Sequence, residues 1–263
     1  MQLKLDKSVL HLHKQISGRF VELDMLRGLA IFLMIFLHVL WDLDYFGLFP
    51  LDRELYQYSR IVPILFLLLV GTCLVVSANR KDHKSIQDRW IYEKHLMMRG
   101  LKIFSLGMVL TSISMIVLPG RPVLFGVLHC IGLSIVLSVP FLRLKHKIYN
   151  VLFGVLAILT GFVVYSYVVN YPTFFHLMVG FHQSEVWRYT VDYFPLFPWF
   201  GVCLLGIALG DWLYKDNKRR FRLPDLAKYK PVTLFSWIGQ HSLAIYLIHQ
   251  PIIAGLLSVY LII

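Results

Sequence analysis

Residues 26–44 read LRGLAIFLMIFLHVLWDLD and place ionisable side chains inside an otherwise apolar run. The run has the length that a helix needs to cross a hydrocarbon layer about 30 Å thick. His38 follows Arg27 by eleven residues. At about 1.5 Å per helical residue it lies about 16 Å further along, past the middle of the membrane. Asp42 follows at i+4, on the same face of the helix. The stretch therefore predicts a transmembrane helix that carries a polar pair.

The rest of the chain has the same apolar character. Of the 263 residues, 57% are hydrophobic and 15% are aromatic, and the mean hydropathy is +0.65. A soluble domain could not bury so much apolar surface in one core. Apolar runs of the length of a membrane span lie at residues 28–46, 61–78, 100–118, 123–142, 149–169, 195–214 and 242–262. We predict an all-α fold, a polytopic transmembrane helical bundle of about seven spans.

The basic residues indicate the orientation of this bundle. Alternate connections carry 21 Lys and Arg on one side and four on the other. The positive-inside rule then places the N-terminus in the cytoplasm and the C-terminus outside. The net charge of +11 belongs to these cytoplasmic segments, so it does not indicate a nucleic-acid partner.

The chain divides into a short leading segment and one membrane domain. Residues 1–20 carry apolar residues at helical spacing with Lys and His between them, which predicts a cytoplasmic amphipathic helix or a flexible segment. Residues 21–263 have short connections and no linker, so we predict a single transmembrane domain embedded as a multi-pass protein in the cell membrane.

Ionisable residues within the spans are candidate site residues, because each costs free energy in lipid unless it has a partner or a function. Asp42 is expected to accept the ring N–H of His38 and to raise the basicity of its other nitrogen, as in a base with an orienting carboxylate. The alternative is a pair that only ties helices together. His129 and His249 fall in a similar depth band, but the spacing does not show whether the three rings face one another. Asp211 is expected to pair with the basic segment that follows it.

Two further patterns complete the candidate sites. The basic segments at 79–99 and 215–230 are orientation signals that could also bind phosphates, with Arg219, Arg220 and Arg222 in the second of them. Cys73, Cys130 and Cys203 are single and widely spaced, so they are expected to be packing residues, and no metal site is expected.

Four segments carry a resemblance to a known family. They are ELDMLRGLAIFLMIFLHVLWDL, FGVLHCIGLSIVL, DYFPLFPWFGVCLLGIALG and LFSWIGQHSLAIYLIHQP, in that order over about residues 20–251. Together they resemble the prokaryotic branch of the family named for the heparan-alpha-glucosaminide N-acetyltransferase catalytic domain. The spacing from Arg27 to His38 is also similar to the signature of bacterial integral-membrane O-acyltransferases.

The resemblance implies transfer of an acyl group, acetyl in the first instance, from cytoplasmic acyl-coenzyme A to a hydroxyl or amine acceptor on the outer side. The acceptor would be a glycan or an amino sugar. His38 would be the general base or the acyl carrier, Asp42 would orient it, and His129 and His249 would line the site. Arg27, with the arginines at 219, 220 and 222, would bind the coenzyme at the inner face. No metal is implied.

One departure from the family and two rival functions stay open. Lysosomal members are similar in having a catalytic histidine in the outer loop after the first conserved span, whereas residues 47–60 of this chain contain none. One rival is a transporter or proton-coupled permease that uses the same His and Asp residues as a proton relay. The other is a haem protein with His38 and His249 as axial ligands. The oligomeric state also stays open, a homo-oligomer included.

Overall fold

A computed structural model of the chain describes residues 19–50, 59–80, 85–144, 146–215 and 218–262. The prediction of an amphipathic segment at residues 1–20 lies almost entirely outside these ranges. Within them, six helices are long and apolar enough to cross a membrane. They are α1 (Val21–Tyr45), α2 (Ile61–Arg80), α3 (Ile86–Val117), α5 (Ile148–Tyr165), α7 (Leu196–Leu213) and α9 (Ser242–Ile262). A seventh, α4 (Val127–Leu142), is apolar but has only 16 residues. The prediction of an all-α polytopic membrane protein is confirmed.

Four shorter elements connect these helices. They are α6 (Phe174–Val179), α8 (Lys230–Gln240), and the 3-10 turns Val186–Arg188 and Leu226–Lys228. A small antiparallel hairpin, β1 (Tyr214–Lys215) and β2 (Lys218–Arg219), pairs Tyr214 with Arg219. The sequence did not predict α8, because its 11 residues are too few to span the membrane and its apolar pattern is broken by polar residues.

The chain forms two compact units, one from residues 1–62 and 223–263 and the other from residues 63–222. In the first unit, α1 packs closely against α8. A Cβ atom added at Gly28 would lie 1.8 Å from the backbone oxygen of Phe235, and one at Gly239 would lie 1.9 Å from that of Asp24. The two helix backbones are therefore in contact, which only glycine allows at these positions.

Contacts along α1 show the direction of the C-terminal helices. Gly28, in the first half of α1, lies against Gly239, which comes shortly before α9 begins at Ser242. The second half of α1 contacts α9, through His38 and His249. Helices α1 and α9 therefore run in the same direction, as they must if both start at the same membrane face.

In the second unit, glycines bring three helix pairs together. Gly132 of α4 and Gly100 of α3 face each other, with an added Cβ 2.7 Å from the opposing backbone oxygen. On α7, Gly201 lies against the backbone of Gly154 in α5, and Gly206 lies against Leu68 in α2. The stripe of small residues thus places α7 between two neighbours, as expected for membrane helices.

A polar seam joins α4 to α7 in the same unit. Ser134 and Ser138 are fully buried on one face of α4, where the Ser138 hydroxyl donates to the Ser134 carbonyl at 2.6 Å. Cys203 of α7 lies 3.8 Å from the Ser138 hydroxyl, and Cys130 lies 4.0 Å from Ser134. The prediction that these two cysteines are packing residues agrees with their contacts, and both thiols are free.

Two ion pairs lie at the polar end of the second unit. Glu93 of α3 pairs with Arg143, which follows α4, and the bond raises the pKa of the exposed arginine. Lys147 pairs with Asp211 at the end of α7. The expectation that Asp211 meets residues 215–230 is therefore wrong. Lys147 precedes α5, so its ammonium group reaches Asp211 from the neighbouring helix that packs against α7.

One predicted connection is largely helical. Helix α3 begins at Ile86, inside the segment 79–99 that the sequence marks as a loop, with Ser85 accepting from the Asp88 N–H at its start. Its 32 residues give a length of about 48 Å at about 1.5 Å per residue, well beyond a hydrocarbon layer of about 30 Å. The start of α3 was not predicted, because charged residues mark the boundary of the membrane and not that of the helix.

Candidate functional site

The first unit contains a histidine pair between α1 and α9. His38 and His249 have ring centroids 4.8 Å apart and ring planes at 85°. His249 is 8% exposed, whereas His38 is half-buried. The structure thus brings together two of the predicted site histidines, which are more than 200 residues apart in the sequence.

The carboxylate of Asp42 lies beside this pair but does not bind the ring of His38. The amide nitrogen of Gln250 donates to both carboxylate oxygens, at 3.0 and 2.9 Å. Asp42 is 3% exposed. Among the described residues, Gln250 is the side chain that donates hydrogen bonds to its carboxylate. The sequence-based expectation of a hydrogen bond from His38 to Asp42 is not met. Gln250 of α9 takes that place, and its role was missed because neutral amides are common at helix contacts.

Backbone carbonyls bind one nitrogen of each ring. Nδ1 of His38 lies 2.8 Å from the oxygen of Met34, and Nδ1 of His249 lies 2.6 Å from that of Tyr246. A carbonyl oxygen only accepts, so each Nδ1 is the donor and each neutral ring carries its lone pair on Nε2. His249 Nε2 and the side-chain oxygen of Gln250 are buried with no hydrogen-bond partner among the described residues. The site around His38, His249 and Gln250 therefore presents hydrogen-bond acceptors.

The same contact bears on the haem hypothesis. Axial histidines of a haem stand on opposite faces of the macrocycle. The rings of His38 and His249 touch edge to face at a centroid separation of 4.8 Å, which leaves no room for a macrocycle between them. This arrangement disfavours paired haem ligation by these two residues. Among the residues that the structure describes, no group of three or more His, Cys, Asp or Glu could hold a metal ion.

His129 lies in the second unit, at the start of α4. The ring is fully buried among Phe125, Phe104 and Phe174, with centroids 5.2, 5.3 and 6.2 Å away. The N–H of Gly126 donates to its Nδ1 at 3.2 Å. The proton of the neutral ring therefore sits on Nε2, which is buried and has no partner among the described residues. In contrast to His38 and His249, this histidine offers a donor.

A second buried histidine of this unit was not predicted. His182 is 5% exposed, with Nδ1 2.6 Å from the oxygen of Gln183 and its ring 4.3 Å from that of Tyr165. Tyr193 donates to the backbone oxygen of Leu177 at 3.1 Å, and burial raises the pKa of its hydroxyl. Nothing in the local sequence separates His182 from the exposed polar residues around it.

The predicted coenzyme-binding arginines differ in their surroundings. Arg27 donates to the oxygen of Gly239 at 3.3 Å and pairs with Asp24 at 3.3 Å, so its guanidinium stabilises the contact between α1 and α8. Arg219 lies in β2, and Arg220 and Arg222 follow it, all three exposed. Tyr214 is a buried residue of this hairpin, and its backbone oxygen accepts from the side-chain amide of Asn79 at the end of α2, at 3.2 Å.

Comparison with known proteins gives one finding. A family model described as heparan-alpha-glucosaminide N-acetyltransferase, catalytic, matches residues 19–251. Neither the comparison with curated proteins nor that with solved structures gives a match. The matched range contains α1 to α8 and the part of α9 that carries His249 and Gln250. Because the match covers far more than half of the chain, this protein belongs to the heparan-alpha-glucosaminide N-acetyltransferase catalytic-domain family.

Proposed function

We propose that the protein is a membrane acyltransferase that moves an acetyl group from acetyl-coenzyme A to a hydroxyl or amine acceptor, with His38 as its base. Family membership supports a membrane acetyltransferase. The observation that carries the residue assignment is the bond from His38 Nδ1 to the Met34 carbonyl. It leaves Nε2 as a lone pair on a half-buried ring, the form that a general base needs.

The reaction needs few protein groups, because a thioester is already activated. Nε2 of His38 would take the proton of the acceptor as its oxygen or nitrogen attacks the thioester carbonyl carbon. The carbon–sulfur bond then breaks, and the coenzyme leaves as a thiol after receiving that proton from the imidazolium. The developing oxyanion needs a hydrogen-bond donor. A neutral His249 cannot supply one, since its only N–H is bound to Tyr246. His129 carries an N–H with no partner among the described residues, and its place in the site stays a prediction.

The predicted orientation of the chain in the membrane indicates where each substrate would bind. We assign the coenzyme phosphates to the exposed arginines at 219, 220 and 222, at the predicted cytoplasmic face, and the acceptor, a glycan or amino sugar, to the outer side. Arg27 is the weaker candidate for the coenzyme, because its guanidinium already bridges Asp24 and Gly239. His38 could also carry the acyl group on Nε2, in which case a covalent adduct on its peptide would be found by mass spectrometry.

The test is the His38→Gln variant, with His95→Gln as its control. The assay would follow release of the coenzyme thiol from acetyl-coenzyme A, with glucosamine as the acceptor probe and purified protein in lipid nanodiscs. Loss of a general base is expected to lower turnover about 10²–10⁴-fold. His95 is an exposed residue of α3, and its replacement is expected to leave turnover unchanged. Full activity in His38→Gln would remove His38 from the mechanism.

A further inference from the structure

The side chain of Gln250 binds the carboxylate with which His38 was expected to pair. The two lie at i and i+4 on α1, where a carboxylate and an imidazole commonly pair. In the structure both carboxylate oxygens are occupied by the amide nitrogen of Gln250 at 3.0 and 2.9 Å. His38 instead donates its Nδ1–H to Met34. The amide from α9 thus binds the acceptor that helical spacing offers to His38.

This bond has a consequence for the proton on His38. A buried carboxylate needs hydrogen-bond donors, and within the described residues Asp42 has one, from Gln250. Without this amide, the carboxylate and the Nε2 lone pair of His38 would be two acceptors on one helix face. Moving the ring proton to Nε2 would give the carboxylate a donor at the cost of the bond from Nδ1 to Met34, and it would remove the lone pair that acts as a base.

We propose that Gln250 is a positioning residue that holds the Asp42 carboxylate and thereby keeps His38 in the Nδ1–H tautomer, with Nε2 unprotonated. The proposal rests on the proposed function only for its catalytic meaning, since the tautomer itself is a property of the folded chain. Gln250 acts through Asp42 and His38 and is not itself a reacting group.

The experiment is nitrogen NMR on the full chain labelled with ¹⁵N-histidine in nanodiscs. The His38 signals are assigned by their loss in His38→Gln. Wild type is expected to show His38 with the proton on Nδ1. Gln250→Met keeps the side-chain length and removes the amide, and it is expected to move the proton of His38 to Nε2. An unchanged tautomer in Gln250→Met, or an Nε2–H tautomer in wild type, would overturn the proposal.

A double variant separates positioning from general disturbance. Asp42→Asn combined with Gln250→Met removes the competing carboxylate, so the Nδ1–H tautomer is expected to return. If Gln250→Met does not fold, Gln250→Asn serves instead, because its amide is one methylene shorter and falls short of Asp42. A double variant that keeps the Nε2–H form would also contradict the proposal.

Turnover gives a separate readout. In the thiol-release assay, Gln250→Met is expected to lose more than tenfold in kcat, with KM for acetyl-coenzyme A little changed. If wild type shows no transfer, the proposed function fails while the tautomer result still decides the role of Gln250. If wild type is active and the tautomer shifts without any loss of kcat, the positioning role is wrong.

Discussion

Two histidines of this chain differ in which ring nitrogen is free, and a backbone group binds Nδ1 in each case. A carbonyl of the preceding turn receives the Nδ1–H of His38, so this ring presents a lone pair. The N–H of Gly126 donates to Nδ1 of His129, so that ring presents a donor. The backbone group at Nδ1 therefore follows from the position of each histidine in its helix, within α1 for His38 and in the first turn of α4 for His129.

The cap that precedes His129 should be measurable by itself. Asp192 accepts from the Val127 N–H at 3.1 Å, at the positive end of α4. Asp192→Ala is expected to lower the stability by about 1–2 kcal/mol, because a helix cap is lost. Thermal unfolding in one detergent would show this as a lower melting temperature. Glu185→Gln is the control, since its exposed pair with Arg188 contributes about 0–1 kcal/mol. Equal melting temperatures for the two variants would contradict the capping role.

At the scale of helices, small residues determine which elements meet. The contact of α1 with α8 has no space for a side chain at Gly28 or Gly239. Helix α7 uses different glycines toward α5 and toward α2. Because lipid tails are as apolar as leucine, close backbone packing and a few polar bonds must supply the association energy. The glycines therefore determine which neighbouring helix each of these helices packs against.

A pair of identical substitutions tests this packing. Gly28→Ala would place a methyl group 1.8 Å from the Phe235 oxygen, so α8 must move away. The expected loss of stability is about 1–3 kcal/mol, as for other overpacked contacts. Gly255→Ala in α9 is the control, because nothing lies within 4 Å of an added Cβ there. It is expected to be neutral, or to gain up to about 1 kcal/mol from helix propensity. A stable Gly28→Ala variant would show that α1 and α8 are not in backbone contact.

At the scale of the whole chain, contacts within each unit agree with the predicted alternation of helices. In the first unit, α1 and α9 run in the same direction. In the second, the pairs Glu93–Arg143 and Lys147–Asp211 lie at one end. At the other end Arg121 donates to the oxygen of Trp187 at 2.7 Å, joining two predicted outer loops. The assignment of these ends to the cytoplasm and the exterior still rests on charge.

Side-specific labelling tests that assignment. His146 and Tyr171 are exposed residues at the predicted inner and outer ends of the second unit. With a membrane-impermeant maleimide, Tyr171→Cys is expected to react in intact cells and His146→Cys only after permeabilisation. The three native cysteines lie within membrane helices and serve as the unlabelled background. The reverse pattern would invert the orientation. Labelling of both variants in intact cells would contradict the helix alternation itself.

The sequence by itself determined the membrane class, the approximate positions of the spans and the family. Composition, run length and four ordered segments are properties of the chain that need no contact between distant residues. The same holds for the candidates His38, Asp42 and His249, since an ionisable residue in an apolar run is visible locally. Helix α8 was not visible in this way, because it is too short to span and its close contact is with the distant residues of α1.

Only the tertiary structure decided how the polar residues are used. His38 and Asp42 had a local reason to pair, but an amide more than 200 residues away binds the carboxylate. Likewise Asp211 found Lys147 across a helix contact and not in the segment that follows it. Helical spacing fixes which residues share a face, whereas a hydrogen bond depends on which partner the neighbouring helix presents. In a membrane, where water does not compete, the fold thus decides which partner each polar side chain receives.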